Sequence, residues 1–284
     1  MDLTFTKMEG LGNDFVMIDD RKKTVSSVIS YDKLARTLCD RRFGIGGDGL
    51  IVVLESSTCD IRFRVFNSDG SEAQMCGNGM RCLARYVYEK GMLDKTEITV
   101  ETLAGVIVPR LNLDDEGRIV SVTVDMGQPV LDAEKIPFIP SSKGGSVHTI
   151  DTSSGPVSFT AVSMGNPHAV IFVDDISVAP LLETGPVVEI HPAFPQKTNV
   201  EFIQVLSDSE IRMRVWERGA GVTLACGTGA CAAVVASVLN GKTGRTVTVH
   251  LDGGDLSITW DKESGHIFKT GPARTVFQGM IQIG

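Results

Sequence analysis

The 284-residue chain predicts an α+β protein of two pseudo-symmetric domains, each a mainly antiparallel, β-barrel-like sheet around a central helix, with the functional site in the cleft between them. Three observations predict it. DIRFRVF (60–66) and EIRMRVW (210–216) alternate apolar and polar residues with the period of a half-buried strand. Each is followed by a Cys-Gly-x-Gly turn, CGNG at 76–79 and CGTG at 226–229, one lying 150 residues after the other. Each turn then opens on a segment of apolar, helix-like spacing.

Taken in order, the first copy starts with strand-like GNDFVMIDD (12–20) and a charged, helix-like LARTLCDRRF, followed by the glycine turn GIGGDG (44–49) and strand-like LIVVLE. After DIRFRVF and the CGNG turn, Met80, Leu83, Ala84 and Val87 fall at i, i+3, i+4 and i+7, one apolar stripe, with Gly91 where a helix C-cap glycine belongs. EITVETLAG (97–105) reads as a strand running into a glycine turn, and RIVSVTVDM as a strand closing the module. The second copy repeats the plan. GNPHAVIFVDD (165–175) matches the first strand, and Asn13 aligns with Asn166 at an offset of 153. ACAAVVASVLNG is apolar or small on every face, so this helix should be buried all round, and TVTVHLDGG (246–254) matches EITVETLAG. The tail RTVFQGMIQIG reads as a final strand. The expected division is residues 1–126, joined by 273–284, and residues 127–272. A small drift in offset over so many matched elements marks two copies of one module.

Net charge is −8 with a pI near 5.2, which argues against nucleic acid or an anionic membrane as partner. No apolar run approaches the ~20 residues of a membrane span. The N-terminal MDLTFTKMEGLGNDF lacks the layout of a signal peptide, so the expected location is the cytoplasm, or the plastid stroma for a processed plant protein. The six cysteines contain no C-x-x-C pair, so neither a structural zinc site nor a disulfide framework is expected, and no His/Cys/carboxylate spacing suggests a metal. Cys39, Cys59, Cys82 and Cys231 read as small buried hydrophobes.

Cys76 and Cys226 read differently. Both sit at the start of a helix, where free N–H groups and the helix dipole favour negative charge. An unperturbed thiol of pKa ~8.5 is only about 3% thiolate at pH 7, and a helix N-terminus is one of the settings that lowers that pKa. The neighbouring amides of Gly77, Asn78, Gly227 and Thr228 offer a carboxylate cradle. Two such thiols on opposite sides of one carbon could remove a proton from one face and return one to the other, inverting a stereocentre. One must start as thiolate and the other as thiol, so they titrate together.

These motifs, with MEGLGNDFVMID, FRVFNSDGSEAQMCGNGMRC, SMGNPHAV, TNVEF and WERGAGVTLACGTGACA, resemble the diaminopimelate epimerase family over essentially the whole chain. The resemblance implies cofactor-independent interconversion of LL- and meso-2,6-diaminopimelate on the route to lysine, by a homodimer. It implies that Cys76 and Cys226 are the acid/base thiols and that His168 and Glu217 tune them. It also implies that Asn13, Asn67, Asn166, Asn199, Glu217 and Arg218 hold the substrate, with Gly77, Asn78, Gly227 and Thr228 around its carboxylate. In the repeat, Glu217 aligns with Asn67 and His168 with Phe15, so the copies differ where an unequal thiol pair needs them to differ. Some family members use a glutamine after the R-F-G-I-G run; Gly49 stands there in this chain.

Other readings are weaker. GIGGDG fits G-x-G-x-x-G, but a helix precedes it and a strand follows, the reverse of a dinucleotide fingerprint. His148, His191, His250 and His266 read as surface or capping residues. No lysine motif points to pyridoxal phosphate, and a two-thiol site needs no such electron sink. Proline racemases and hydroxyproline epimerases share the paired-cysteine plan, but usually carry histidine where this chain has Asn78 and lack the Glu217–Arg218 pair. A related isomerase group keeps the duplicated fold without the thiols. A thiol redox sensor or anion-binding module would use the same cysteines without turnover.

Overall fold

In the computed structural model, residues 1–140, 145–153 and 155–283 are described. In chain order the elements are β1 (Asp2–Gly10), β2 (Asn13–Asp19), α1 (Tyr31–Cys39), β3 (Gly49–Leu54), β4 (Ile61–Asn67), β5 (Glu72–Ala73), α2 (Gly77–Glu89), β6 (Val100–Thr102), β7 (Gly105–Ile107), β8 (Arg110–Leu113) and β9 (Ile119–Asp125). There follow β10 (Val147–Thr152), β11 (Gly155–Ser163), β12 (Pro167–Phe172), α3 (Leu181–Glu189), β13 (Asn199–Val205), β14 (Glu210–Glu217), β15 (Gly221–Thr223), α4 (Gly227–Leu239), β16 (Thr246–Leu251), β17 (Gly254–Trp260), β18 (Ile267–Gly271) and β19 (Arg274–Gln282). Two compact units result, Met1–Asp125 with the chain from Thr270 onward, and Met126–Lys269.

In the first unit the strands run β19-β1-β2-β3-β4-β6-β7. β2–β3 and β4–β6 are parallel, and the hairpin pairings around them are antiparallel. Parallel neighbours need a crossover, which α1 supplies between β2 and β3 and α2 between β4 and β6. The second unit repeats this as β10-β11-β12-β13-β14-β16-β17 and adds β18, with β12–β13 and β14–β16 parallel and α3 and α4 crossing over. The registers also agree: Phe15 faces Gly49 in one copy and His168 faces Asn199 in the other.

The period-2 alternation of these strands divides each sheet into two faces. Val16, Ile18, Leu50 and Val52 cluster with Leu34 and Leu38 of α1. The residues between them, Phe15, Met17 and Ile51, point to the other face, where α2 packs; all three are buried. In the second unit Ala169, Ile171, Val200 and Phe202 cluster with Leu181 and Val188 of α3. His168 and Glu201 therefore fall on the face that α4 covers. This alternation places the functional side chains.

The central helices bear out the expected faces. Met80, Leu83, Ala84 and Val87 are fully buried, and burial contributes roughly 1.5–3 kcal/mol for each of the three larger side chains. In α4 every residue from Gly229 to Ser237 is buried. Gly91 and Gly241 end these helices with φ of 62° and 64°, the left-handed conformation glycine adopts without penalty. At each end the next residue bonds back across five positions, Met92 to the Val87 carbonyl and Lys242 to that of Ser237. Two expectations need correction. Cys59 is only half-buried, held in a polar turn with Ser56 and Thr58. His148 is neither a surface nor a capping group: its ring packs 4.7 Å from that of Phe138 and 6.0 Å from that of Phe159, and burial lowers its pKa.

Candidate active site

Cys76 and Cys226 are both N-cap residues, with extended backbone angles (φ −138°, ψ 115° and φ −120°, ψ 112°). Each Sγ accepts the backbone N–H three residues on, from Gly79 at 3.4 Å and Gly229 at 3.3 Å. Sulfur thus occupies the place of a capping Ser or Asp oxygen, one residue earlier than the first-turn position the sequence suggests. The preceding N–H groups, of Gly77 and Asn78 and of Gly227 and Thr228, have no intrahelical acceptor, because a helix leaves its first donors open. The second glycine of each motif serves packing. A Cβ on Gly79 would lie 2.9 Å from Ile51 Cδ1, and one on Gly229 would lie 2.7 Å from Glu201 Oε1 and 3.2 Å from Cys226 Sγ.

Around Cys76, the carboxylate of Asp48 accepts from Asn13 Nδ2 at 2.7 Å. A carboxylate only accepts, so the amide group of Asn13 must face Asp48 and its Oδ1 faces the thiol. Asn78 Nδ2 donates to that Oδ1 at 3.3 Å, with Cys76 Sγ 3.9 Å away. Asn78 Oδ1 in turn accepts from the buried guanidinium of Arg81 at 2.9 Å, and Arg81 Nε binds the Pro272 carbonyl. Behind Asp48 lies an ionic cluster. Arg41 pairs with Asp48 at 2.8 Å and with Asp14 at 2.7 Å, and Lys7 pairs with Asp14 at 2.7 Å while donating to the Gly46 carbonyl. Burial alone would raise the Asp14 pKa, but the bonds from Arg41 and Lys7 outweigh it and bring it down to about 2.

Cys226 is buried and its surroundings are acidic. Burial first, then the carboxylates of Glu217 and Glu201, push its thiol pKa well above the ordinary cysteine value; bonds from Thr228 and Gly229 only partly oppose them. Glu217, itself raised mainly by burial, stands beside that thiol and accepts from Thr223 Oγ1. A hydrogen-bonded chain reaches the same sulfur from the sheet. Glu201 Oε1 lies 2.6 Å from His168 Nδ1, His168 Nε2 3.0 Å from Asn166 Oδ1, Asn166 Nδ2 3.4 Å from Thr228 Oγ1, and Thr228 Oγ1 3.5 Å from Cys226 Sγ.

The residue pattern now meets known proteins. The model of the family described as diaminopimelate epimerase matches residues 5–131 and 160–276. A curated diaminopimelate epimerase from Desulforapulum autotrophicum is 56% identical over 283 residues, covering 100% of both chains. The chain belongs to the diaminopimelate epimerase family. In fold, this family member resembles a phenazine biosynthesis protein of the PhzF family from Bacillus anthracis (TM-score 0.70, 17% identity, 100% of both chains). It equally resembles a hydroxyproline epimerase from Agrobacterium vitis (TM-score 0.69, 18% identity, 99% of this chain and 91% of that one). The two-domain, sheet-rich architecture is thus that of a wider group. Among the described residues no helix is long and apolar enough to cross a membrane, and no cluster of three metal-ligating side chains occurs.

Within this family member the expected site residues fall into distinct groups. Cys226, Thr228, Asn166 and His168 form one bonded cluster with Glu217 beside it, and Cys76, Asn78 and Asn13 another. His168 reaches Cys226 only through Asn166 and Thr228. Asn67 is exposed and its amide bonds Ser71. Asn199 is buried with both ends committed, Nδ2 to the Pro167 carbonyl and Oδ1 to the Arg218 N–H at 2.9 Å, so it positions Arg218. The exposed Arg218 guanidinium donates to the Gln196 carbonyl. Sequence reasoning missed Asp48, Glu201 and Glu189. Glu189 receives Trp216 Nε1 and the Gly219 N–H, fixing the turn that carries Glu217 and Arg218. A signal for Glu201 did exist: the repeat aligns it with Ile51, a carboxylate against an aliphatic group.

Proposed function

We propose that this chain epimerises LL- and meso-2,6-diaminopimelate by a two-base mechanism in which Cys76 and Cys226 serve opposite faces of the α-carbon. The roles follow from the surroundings of each sulfur. Cys226, buried between Glu217 and Glu201, enters as the thiol; Cys76, whose neighbours Asn13 and Asn78 are neutral, enters as the thiolate. The Cys76 sulfur takes the α-proton, and the C–H electron pair passes onto the substrate carboxylate. The N–H groups of Gly77, Asn78, Gly227 and Thr228 stabilise the charge that develops there. Cys226 then delivers its proton to the opposite face, leaving Cys76 as thiol and Cys226 as thiolate, the state from which the reverse reaction starts. Asn13, Asn67, Asn166, Glu217 and Arg218 are assigned to substrate binding, with Asn199 acting through Arg218, and His168 and Glu217 to tuning the thiols. No cofactor takes part.

The observation that carries this reading is the pair of N-capping thiols at equivalent places in a duplicated fold, each beside open helix amides, in a chain of this family. The reading extends to residues 1–126 with 273–284 and residues 127–272 acting as the two halves, to a homodimer and to a cytoplasmic location. The direct test is incubation of LL-diaminopimelate with purified protein in D₂O without added cofactor. The expected product carries solvent deuterium at the inverted centre; inversion without deuterium would refute the two-base scheme. Sedimentation at micromolar concentration tests the dimer.

A further inference from the structure

We propose that Glu201 is a positioning residue for this reaction: with His168 it forms a buried pair that fixes the direction of the hydrogen-bonded chain running to Cys226, and it sets a carboxylate against that sulfur. The inference rests on the reading that Cys226 is one of the reacting thiols.

Direction comes first. An amide carbonyl only accepts, so His168 Nε2 must carry a hydrogen toward Asn166 Oδ1. That orients Asn166 with Nδ2 toward Thr228, whose oxygen accepts and whose hydroxyl hydrogen is then free to point at Cys226 Sγ. Every donor in the chain thus faces the sulfur, the arrangement a thiolate needs at the moment it forms. His168 holds this direction because its other ring nitrogen, Nδ1, donates to the Glu201 carboxylate at 2.6 Å, with both side chains fully buried. Proximity comes second. Glu201 Oε1 and Cys226 Sγ both lie within 3.2 Å of the point a Gly229 Cβ would occupy, so they are within about 6 Å of each other. The groups facing Cys226 are Glu217 from β14, Glu201 from β13, His168 beyond Asn166 from β12, and Thr228 and the Gly229 N–H from its own helix.

Structure alone does not require this carboxylate. Its second oxygen, Oε2, is buried without a hydrogen-bond partner among the described residues, a costly condition for a charged group. The equivalent place in the first unit is filled by Ile51 packed on Gly79, which shows that the fold accepts an aliphatic side chain there.

The test compares wild type, Glu201→Gln and Glu201→Ile. In each, the pH dependence of Cys226 alkylation by iodoacetamide is followed by peptide mass spectrometry, alongside kcat and KM for diaminopimelate. Glutamine can accept from His168 Nδ1 through its Oε1 and keep the chain while removing the charge. The Cys226 alkylation midpoint should drop by about one pH unit, kcat at neutral pH by roughly tenfold and KM by less than about threefold. Isoleucine removes both functions and should lower kcat further, together with the melting temperature, since His168 Nδ1 loses its buried partner. A Gln variant whose alkylation midpoint and kcat stay within twofold of wild type overturns the proposal, as does a fall in melting temperature as the only effect of either variant. Wild-type protein that fails to exchange deuterium refutes the underlying reaction instead, while the alkylation profile, which needs no substrate, still judges Glu201.

Discussion

Beneath Cys76 the sheet presents Phe15, Gly49, Ile51 and Asn67; beneath Cys226 the same four register positions carry His168, Asn199, Glu201 and Glu217. The seven strands β19-β1-β2-β3-β4-β6-β7 of one copy have counterparts in β10-β11-β12-β13-β14-β16-β17 of the other, and both sulfurs cap their helices at nearly the same distance. What differs is chemistry: a neutral floor with no ionisable group in one copy, two carboxylates and an imidazole in the other. Symmetric folding delivers two equivalent thiols, and asymmetric substitution makes them unequal. The asparagines show the same division. Asp48 turns Asn13 so that its carbonyl faces Cys76, whereas His168 turns Asn166 so that its amide group faces Thr228.

The sharpest way to break this comparison is to ask whether the sulfurs matter as caps or as acids. Serine is a better N-cap than cysteine but ionises far less readily. Cys76→Ser and Cys226→Ser should therefore each retain or slightly raise the melting temperature while lowering kcat by about 10³-fold or more. If either variant melted many degrees lower and kept its turnover, that sulfur would be structural.

A smaller effect separates the two floors. Gly79→Ala brings a methyl against the far end of Ile51, which can rotate away; Gly229→Ala brings one against a Glu201 oxygen pinned by His168 and against Cys226 Sγ. Expected losses in kcat/KM are about threefold for the first and about thirtyfold for the second, on the order of 0.6 and 2 kcal/mol. Equal losses in steady-state assays would mean that the difference between the copies does not reach the chemistry.

Much of this is legible in the sequence. Alternation in DIRFRVF and EIRMRVW, the stripe Met80–Leu83–Ala84–Val87 and the glycines after each helix are local signals, and the described strands and helices follow them. Glu201 was harder to read. In TNVEF its neighbours Val200 and Phe202 turn toward α3, so Asn199 and Glu201 pass for the solvent side of a strand. Only the cover laid over that side by α4 buries them, and that is a tertiary fact. Asp48 was hidden for a similar reason: its role toward Asn13 depends on the loop from α1 returning to the β1–β2 turn, 35 residues away in sequence.

The smallest effect concerns α2 and α4 away from the thiol ends. Cys82 in α2 aligns with Ala232 in α4, and both are fully buried. Burial pushes the Cys82 thiol from 9.0 up to about 12. A pKa raised on folding means that the folded chain binds this proton more tightly than the unfolded one. The associated stability is present below pH 9.0 and is lost progressively as pH rises toward 12. Cys82→Ala, which gives α2 the side chain α4 already has, removes that ionisation for the loss of one buried sulfur, about 1 kcal/mol at neutral pH. The expected outcome of urea titrations at a series of pH values is a slightly less stable variant at pH 7 whose stability declines less steeply than wild type between pH 9 and 11. Parallel curves would mean that this thiol ionises without cost, and that the two helices are as interchangeable at their middles as they are unequal at their starts.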